Sequence, residues 1–187
     1  AESKIDEDSH KLVFGKGLQR YSLEWTGKWV NYKPQEMMKV EISRKGNKRP
    51  GLWMRDKAIF ESPKILTRKV ATHIIAAFDS SGIYYEQTLH GSILRPLYKN
   101  YDERYFLGIL NSCLMKFYYQ SNVQQEGKLF PQIRINVLKS LPMRVIDFSN
   151  SAEKAQHDRM VLLVEQITDL NKRLAKAKTP QEKEGLE

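Results

Sequence analysis

Apolar residues in the first half of the chain come in short runs broken by turn formers, without helical spacing. Residues 11–32 are rich in aromatic and β-branched side chains, with Gly15, Gly17 and Gly27 between them, and this pattern predicts short strands joined by turns. Residues 37–42 read as a further short strand. Residues 43–51, SRKGNKRPG, read as a basic loop, because Gly, Asn and Pro interrupt any regular element. Strands are expected at Ile65 and Leu66 and over residues 71–78. Asp79, Ser80, Ser81 and Gly82 then make a turn, and residues 83–88 form the return strand of a hairpin.

The period changes after residue 101. Phe106, Leu107, Ile109, Leu110, Leu114, Phe117 and Tyr118 recur near helical spacing, which predicts one helix over residues 102–121. Asp102 and Glu103 suit the positive end of its dipole. Gly108 and Ser112 leave room for a close neighbour. Asn111, set among leucines, is expected to be buried and to bond backbone groups nearby. Ile133, Ile135 and Val137 alternate as a half-buried strand would.

Residues 151–178 carry the cleanest periodicity. Met160, Leu163, Ile167, Leu170, Leu174 and Ala177 step by three and four, the spacing of an a/d seam about two and a half heptads long. Ser151 is placed to cap this helix, and Thr179-Pro180 to stop it. An apolar stripe of this length needs a cover: the globular body, a second copy of the helix, or a following antiparallel helix. The expected class is α/β of the α+β type: a twisted, mostly β domain with a packed Leu-Asn-Ser helix and a long C-terminal helix. The expected organisation is a lead over residues 1–10, disordered or added to the protein, a domain over 11–148, and a helical arm over 149–187.

Composition narrows the class without naming a function. At 187 residues, 41% hydrophobic and 28% charged, the chain suits one sizeable domain with an appendage. No apolar run reaches the ~20 residues of a membrane helix. The N-terminal AESKIDEDSH is acidic and polar, unlike a signal peptide. The lone cysteine, Cys113, excludes an internal disulfide and is expected as a buried thiol, and a cytoplasmic setting fits.

The formal charge of +9 is unevenly spread, and residues 39–69 hold ten basic side chains against three acidic ones. That concentration suits a polyanion footprint, or equally a solvated basic face. Tyr21, Trp25, Trp29 and Tyr32 suit base stacking, with packing the favoured reading.

Catalytic signatures are missing. There is no Asn-Pro-Pro-Tyr-like tetrapeptide, no glycine-rich cofactor loop after a strand, and no ligand spacing among His10, His73, His90 and His157. Asp79 and Glu86 stand seven apart across the expected hairpin. A turn aspartate and a solvent-facing glutamate explain them better than a metal site.

Several stretches together carry a resemblance. They are Gly17-Leu18-Gln19-Arg20-Tyr21 with Gly27-Lys28-Trp29-Val30, Pro63-Lys64-Ile65-Leu66-Thr67-Arg68-Lys69, Ala77-Phe78-Asp79 with Gly82-Ile83-Tyr84-Tyr85, Leu110-Asn111-Ser112, and Leu141-Pro142-Met143. In this order they resemble the TaqI-like C-terminal specificity domain. That is the target-recognition domain behind the catalytic part of bacterial N6-adenine methyltransferases and combined restriction–modification enzymes. The chain is also similar to half of a type I specificity subunit.

The resemblance implies a non-catalytic domain that recognises duplex DNA. It further implies a catalytic methyltransferase or endonuclease domain in the same, larger protein, where S-adenosylmethionine would bind. It does not supply a recognition sequence. The candidate DNA contacts are Arg44, Lys45, Asn47, Lys48, Arg49 and Arg55, then Lys64, Arg68 and Lys69. Arg and Asn are able to bond guanine and adenine edges in pairs, and the lysines to neutralise phosphates. Two other readings stay open: a protein-interaction module docking or self-associating through its heptad helix, and an RNA-binding domain.

Overall fold

The computed structural model describes residues 2–45, 54–122 and 131–177. Among these, helix makes up 45% and strand 18%, in six helices and three small sheets. The α+β class holds, with more helix than the aromatic-rich first half suggests.

The innermost strand is β5 (Lys64–Arg68), flanked on both sides by antiparallel neighbours, β6 (Ala76–Asp79) and β8 (Leu89–Ser92). Successive side chains on a strand point to opposite faces. Ile65 and Ala76 accordingly enter one core, with Ile74, Leu107, Leu110, Met115, Tyr119 and Ile133. Leu66 and Ala77 enter a second, with Val13, Leu18, Ile83 and Leu89.

The aromatic first segment forms the expected short strands. β1 (Ser9–Val13) pairs antiparallel with β4 (Trp29–Asn31), and β2 (Leu18–Gln19) with β3 (Ser22–Leu23). The expected hairpin across residues 79–82 does not form. β7 (Tyr84–Tyr85) pairs in parallel with β1, Leu12 opposite Tyr84, and β6 pairs with β5 instead. The Asp79 carboxylate explains the diversion. It accepts from the backbone N–H groups of Ser81 (2.9 Å) and Ile83 (3.0 Å), curling the chain away from β6. Tyr84 then lands in an aromatic cluster with Tyr32 and Phe60.

Four other local expectations are corrected. Residues 37–42 are helical, inside α1 (Pro34–Lys45), where proline opens the first turn with a preset φ. The long helix expected over 102–121 is two, α3 (Glu103–Leu110) and α4 (Cys113–Asn122). Ser112 makes the break: its Oγ donates to Ile109 O (2.8 Å) and accepts from Met115 N (3.0 Å), ending one helix and capping the next. The strand expected at 133–137 is mostly helix, α5 (Ile135–Ser140). Ile133, Val137, Leu138 and Leu141 have helical spacing and pack on the first core, whereas Ile135 is exposed. Cys113 is exposed, so the buried-thiol expectation fails.

Residues 2–8 are tied to the body and do not form a free lead. Asp6 Oδ2 lies 2.9 Å from Lys33 Nζ and accepts from Asn31 Nδ2 at 2.8 Å, and Ser9 and His10 already belong to β1. At the other end α6 (Ser151–Lys176) is capped by Asn150, not Ser151; its side chain accepts from Ala152 N at 3.0 Å. The helix lies against α3 where Gly108 has no side chain. A Cβ there would sit 2.7 Å from Met160 Sδ. The face turned to the body carries His157, Met160 and Val164, while Leu163, Ile167 and Leu170 of the expected seam are 43%, 38% and 40% exposed.

Candidate nucleic-acid interface

The basic window does not form one face. Lys64 is the clearest departure. Its ammonium is buried, 2.5 Å from Asp79 Oδ2, and it also donates to Phe60 O. Taking two charges out of water costs more than one contact returns, so such a pair persists only when the remaining hydrogen bonds are made. Here they are: Asp79 also accepts from Ser81 and Ile83. Lys64 therefore fastens the 79–83 turn and α2 (Ala58–Glu61) to the sheet, and it is no DNA contact. The same bonds occupy Asp79 as a metal ligand, and no group of three metal-ligating side chains occurs among the described residues.

Other members of the window scatter. Lys57 faces Asp8 at 3.6 Å. Arg44 is exposed on α1, and Lys45 ends that helix, so the basic segment begins as helix and not as loop. Asn47, Lys48 and Arg49 lie outside the described residues.

Arg55, Arg68 and Lys69 do converge, around the turn between β7 and β8. One cleft of about 480 Å³ is lined by Arg55, Lys69, Tyr85, Gln87, His90 and Gly91 among others. A second, of about 390 Å³, is lined by Phe14, Gly15, Lys16, Arg68, Val70 and Thr88. Gln87 and Thr88, adjacent in the chain, each line one of the two. Among the described residues, Arg55, Lys16 and Lys69 have no carboxylate partner and no side-chain hydrogen bond. Arg68 is partly committed: its Nε donates to Gly15 O at 2.6 Å, which aims the guanidinium along the second cleft.

The walls are fixed by the fold. Tyr85 crosses Gly91, where any Cβ would collide with the phenol, so glycine is what lets the ring lie flat on β8. Burial pushes the Tyr85 phenol above its ordinary pKa of 10.0, with Arg55 opposing, so it is a neutral hydroxyl at physiological pH. His90 Nε2 lies 2.9 Å from Ile133 O, a carbonyl that only accepts, so Nε2 carries a proton and donates there. The Arg55 backbone is held from both sides by the Tyr32 hydroxyl, which accepts from its N–H at 2.8 Å and donates to its carbonyl at 2.5 Å.

Of the expected DNA contacts, Arg55, Arg68 and Lys69 line these clefts, and Lys16, Tyr85, Gln87 and His90, not among the expected contacts, line them too. These come from separate stretches joined only by the β1–β7 and β5–β8 pairings, and no local pattern marks them. The aromatic residues of the first segment act in packing, as favoured. Tyr32 is buried, and Trp25 and Trp29 meet edge to face at 5.1 Å with Lys11 over Trp25.

No helix among the described residues is long and apolar enough to cross a membrane. No curated protein matches the chain. One family does: the TaqI-like C-terminal specificity domain matches residues 10–143.

Proposed function

We infer function from membership: the chain belongs to the TaqI-like C-terminal specificity domain family, and we propose that it recognises duplex DNA by sequence for a catalytic domain. The observation that carries the reading beyond the family is the set of cations around the β7–β8 turn. Lys16, Arg55 and Lys69 are unpaired among the described residues, so binding a phosphate there breaks no ion pair between them. Phosphate contacts would set the register, and base edges would be read from the same surface.

The proposed context is a bacterial restriction–modification protein acting on adenine N6, of the type II class, in the cytoplasm. Its methyltransferase or endonuclease domain would lie in the same protein and bind S-adenosylmethionine there. The 187-residue chain itself is then expected to show no stoichiometric binding of that cofactor by calorimetry, and neither methylation nor cleavage of DNA.

The test is the salt dependence of binding to duplex DNA, single strands and RNA. Each neutralised phosphate on a duplex contributes a slope of about −0.9 in log K against log salt. Lys16→Ala, Arg55→Ala and Lys69→Ala together should reduce the slope by about two to three units. An unchanged slope, or stronger binding to RNA than to duplex DNA, overturns the reading.

A second partner is favoured by a separate observation. Leu163, Ile167 and Leu170 leave an apolar stripe open along α6. We propose that it packs on another helix, in a second copy of the chain or in the larger protein.

A further inference from the structure

The geometry points to Gln87 as a base-reading residue, one that selects adenine in the major groove. This inference rests on the DNA reading above and names the chemistry of its specificity. Residues 86–89 form a turn fastened at nearly every point except Gln87. Glu86 N donates to Val13 O at 3.3 Å, and Leu89 N donates back to Glu86 O at 3.1 Å. The Glu86 carboxylate accepts from Thr88 N at 2.9 Å and from the Thr88 hydroxyl. Thr88 Oγ1 accepts in turn from Gly15 N at 2.8 Å, and Thr88 O accepts from Lys69 N at 2.9 Å. The end of β1, Gly15 and the residue that follows β5 are thereby fastened to one turn.

Gln87 stands in the middle of that clamp, exposed, with its carboxamide unbonded among the described residues. A side chain that reads a base must be held at its root, because ordering a loose segment subtracts from affinity. It must also have its polar atoms free. Gln87 meets both conditions, whereas Glu86, its neighbour in the cleft, has already spent a carboxylate oxygen on Thr88.

The carboxamide decides the base. It offers one donor group and one acceptor, the complement of adenine N7 and N6 in the major groove. Guanine shows two acceptors there and has no use for the carbonyl. Arg55 and Lys69 line the same cleft and would hold the flanking phosphates.

The experiment selects binding sites from randomised duplexes with the 187-residue chain at low salt, then repeats the selection with Gln87→Ala and Gln87→Glu. The wild-type chain should show adenine at one position. Gln87→Ala should flatten that position alone, by about 5- to 150-fold in preference. Gln87→Glu, which only accepts, should move the preference toward cytosine, whose N4 donates. Replacing the selected adenine with 7-deazaadenine should weaken the wild-type chain and leave Gln87→Ala unaffected.

Unchanged base preference in both variants, with the salt slope intact, overturns the role of Gln87 and leaves the DNA reading standing. A uniform loss on all sequences overturns it too, because that is the behaviour of a phosphate contact. A chain that binds no duplex at low salt overturns the DNA reading, and this inference with it.

Discussion

Asn111 treats Ala76 as a neighbouring strand would. Its Oδ1 accepts from Ala76 N at 3.0 Å and its Nδ2 donates to Ala76 O at 2.9 Å, so one carboxamide satisfies both backbone groups on the outer side of β6. At 3% exposure no water reaches the pair. Asn111→Leu removes both bonds and leaves the Ala76 N–H buried without a partner, while Ala76 O keeps the bond it accepts from Tyr21 N at 3.0 Å. The expected loss is about 1–3 kcal/mol for the group left unpaired. Chemical denaturation should record it, and binding-site selection should return an unchanged base preference. Unaltered stability would refute the structural role.

The buried pair of Lys64 and Asp79 makes a contrasting prediction about a residue whose sequence context suggested DNA. Lys64→Met strands a carboxylate in the core and should cost about 3–5 kcal/mol. In the fraction that remains folded, the salt slope of DNA binding should match that of the wild-type chain. A slope lowered by one phosphate, without loss of stability, would return Lys64 to the interface.

Acid should weaken the fold at one identifiable point. Burial, aided by Lys116 and Arg20, holds the His73 imidazole below its ordinary pKa of 6.5. The unfolded chain therefore binds a proton at a higher pH than the folded one. The stability this contributes is present above pH 6.5 and is lost as pH falls toward the depressed folded value. His73→Gln should flatten the stability curve between pH 6.5 and 5, followed by denaturant midpoint against pH. An unchanged curve would assign the slope to other groups.

On α6, charge placed on the open stripe should act only on association. Leu163→Glu with Leu170→Glu should abolish any dimer seen by sedimentation and leave the unfolding transition in place, because Val164 faces the body and these two do not. Loss of the fold in that variant would show that the body covers this face instead.

The reach of the sequence followed the range of the interactions. Short strands near Trp29, the β5 run from Lys64 and the capped start at Asp102 rest on neighbours in the chain, and local pattern found them. The break at Ser112 was hidden because a helical period continues across it, and a hydroxyl decided the matter. The α6 seam was read from its largest aliphatics, but the body accepted His157 and Val164, because the opening at Gly108 lies beneath that face. Charge density over residues 39–69 marked a window, not a surface, since it could not distinguish the buried Lys64 from the half-buried Lys69. Gln87 had no local signal at all; its setting exists only once residues 13, 15, 69 and 88 are together.

β1 lies between β4 and β7, and the bond from Gly15 to Thr88 closes a loop of 73 positions. During synthesis the first strand emerges long before its second partner. Until Tyr84 and Thr88 leave the ribosome, Val13 and Leu18 have only part of their core to enter. Contacts of such separation are slow to form, because the loop must close before they contribute. The first segment therefore completes its core only after those later residues are made, and its apolar side chains stay partly uncovered in the interval. Pulse-labelled nascent chains should gain protease resistance at the first segment only after residue 92 has emerged.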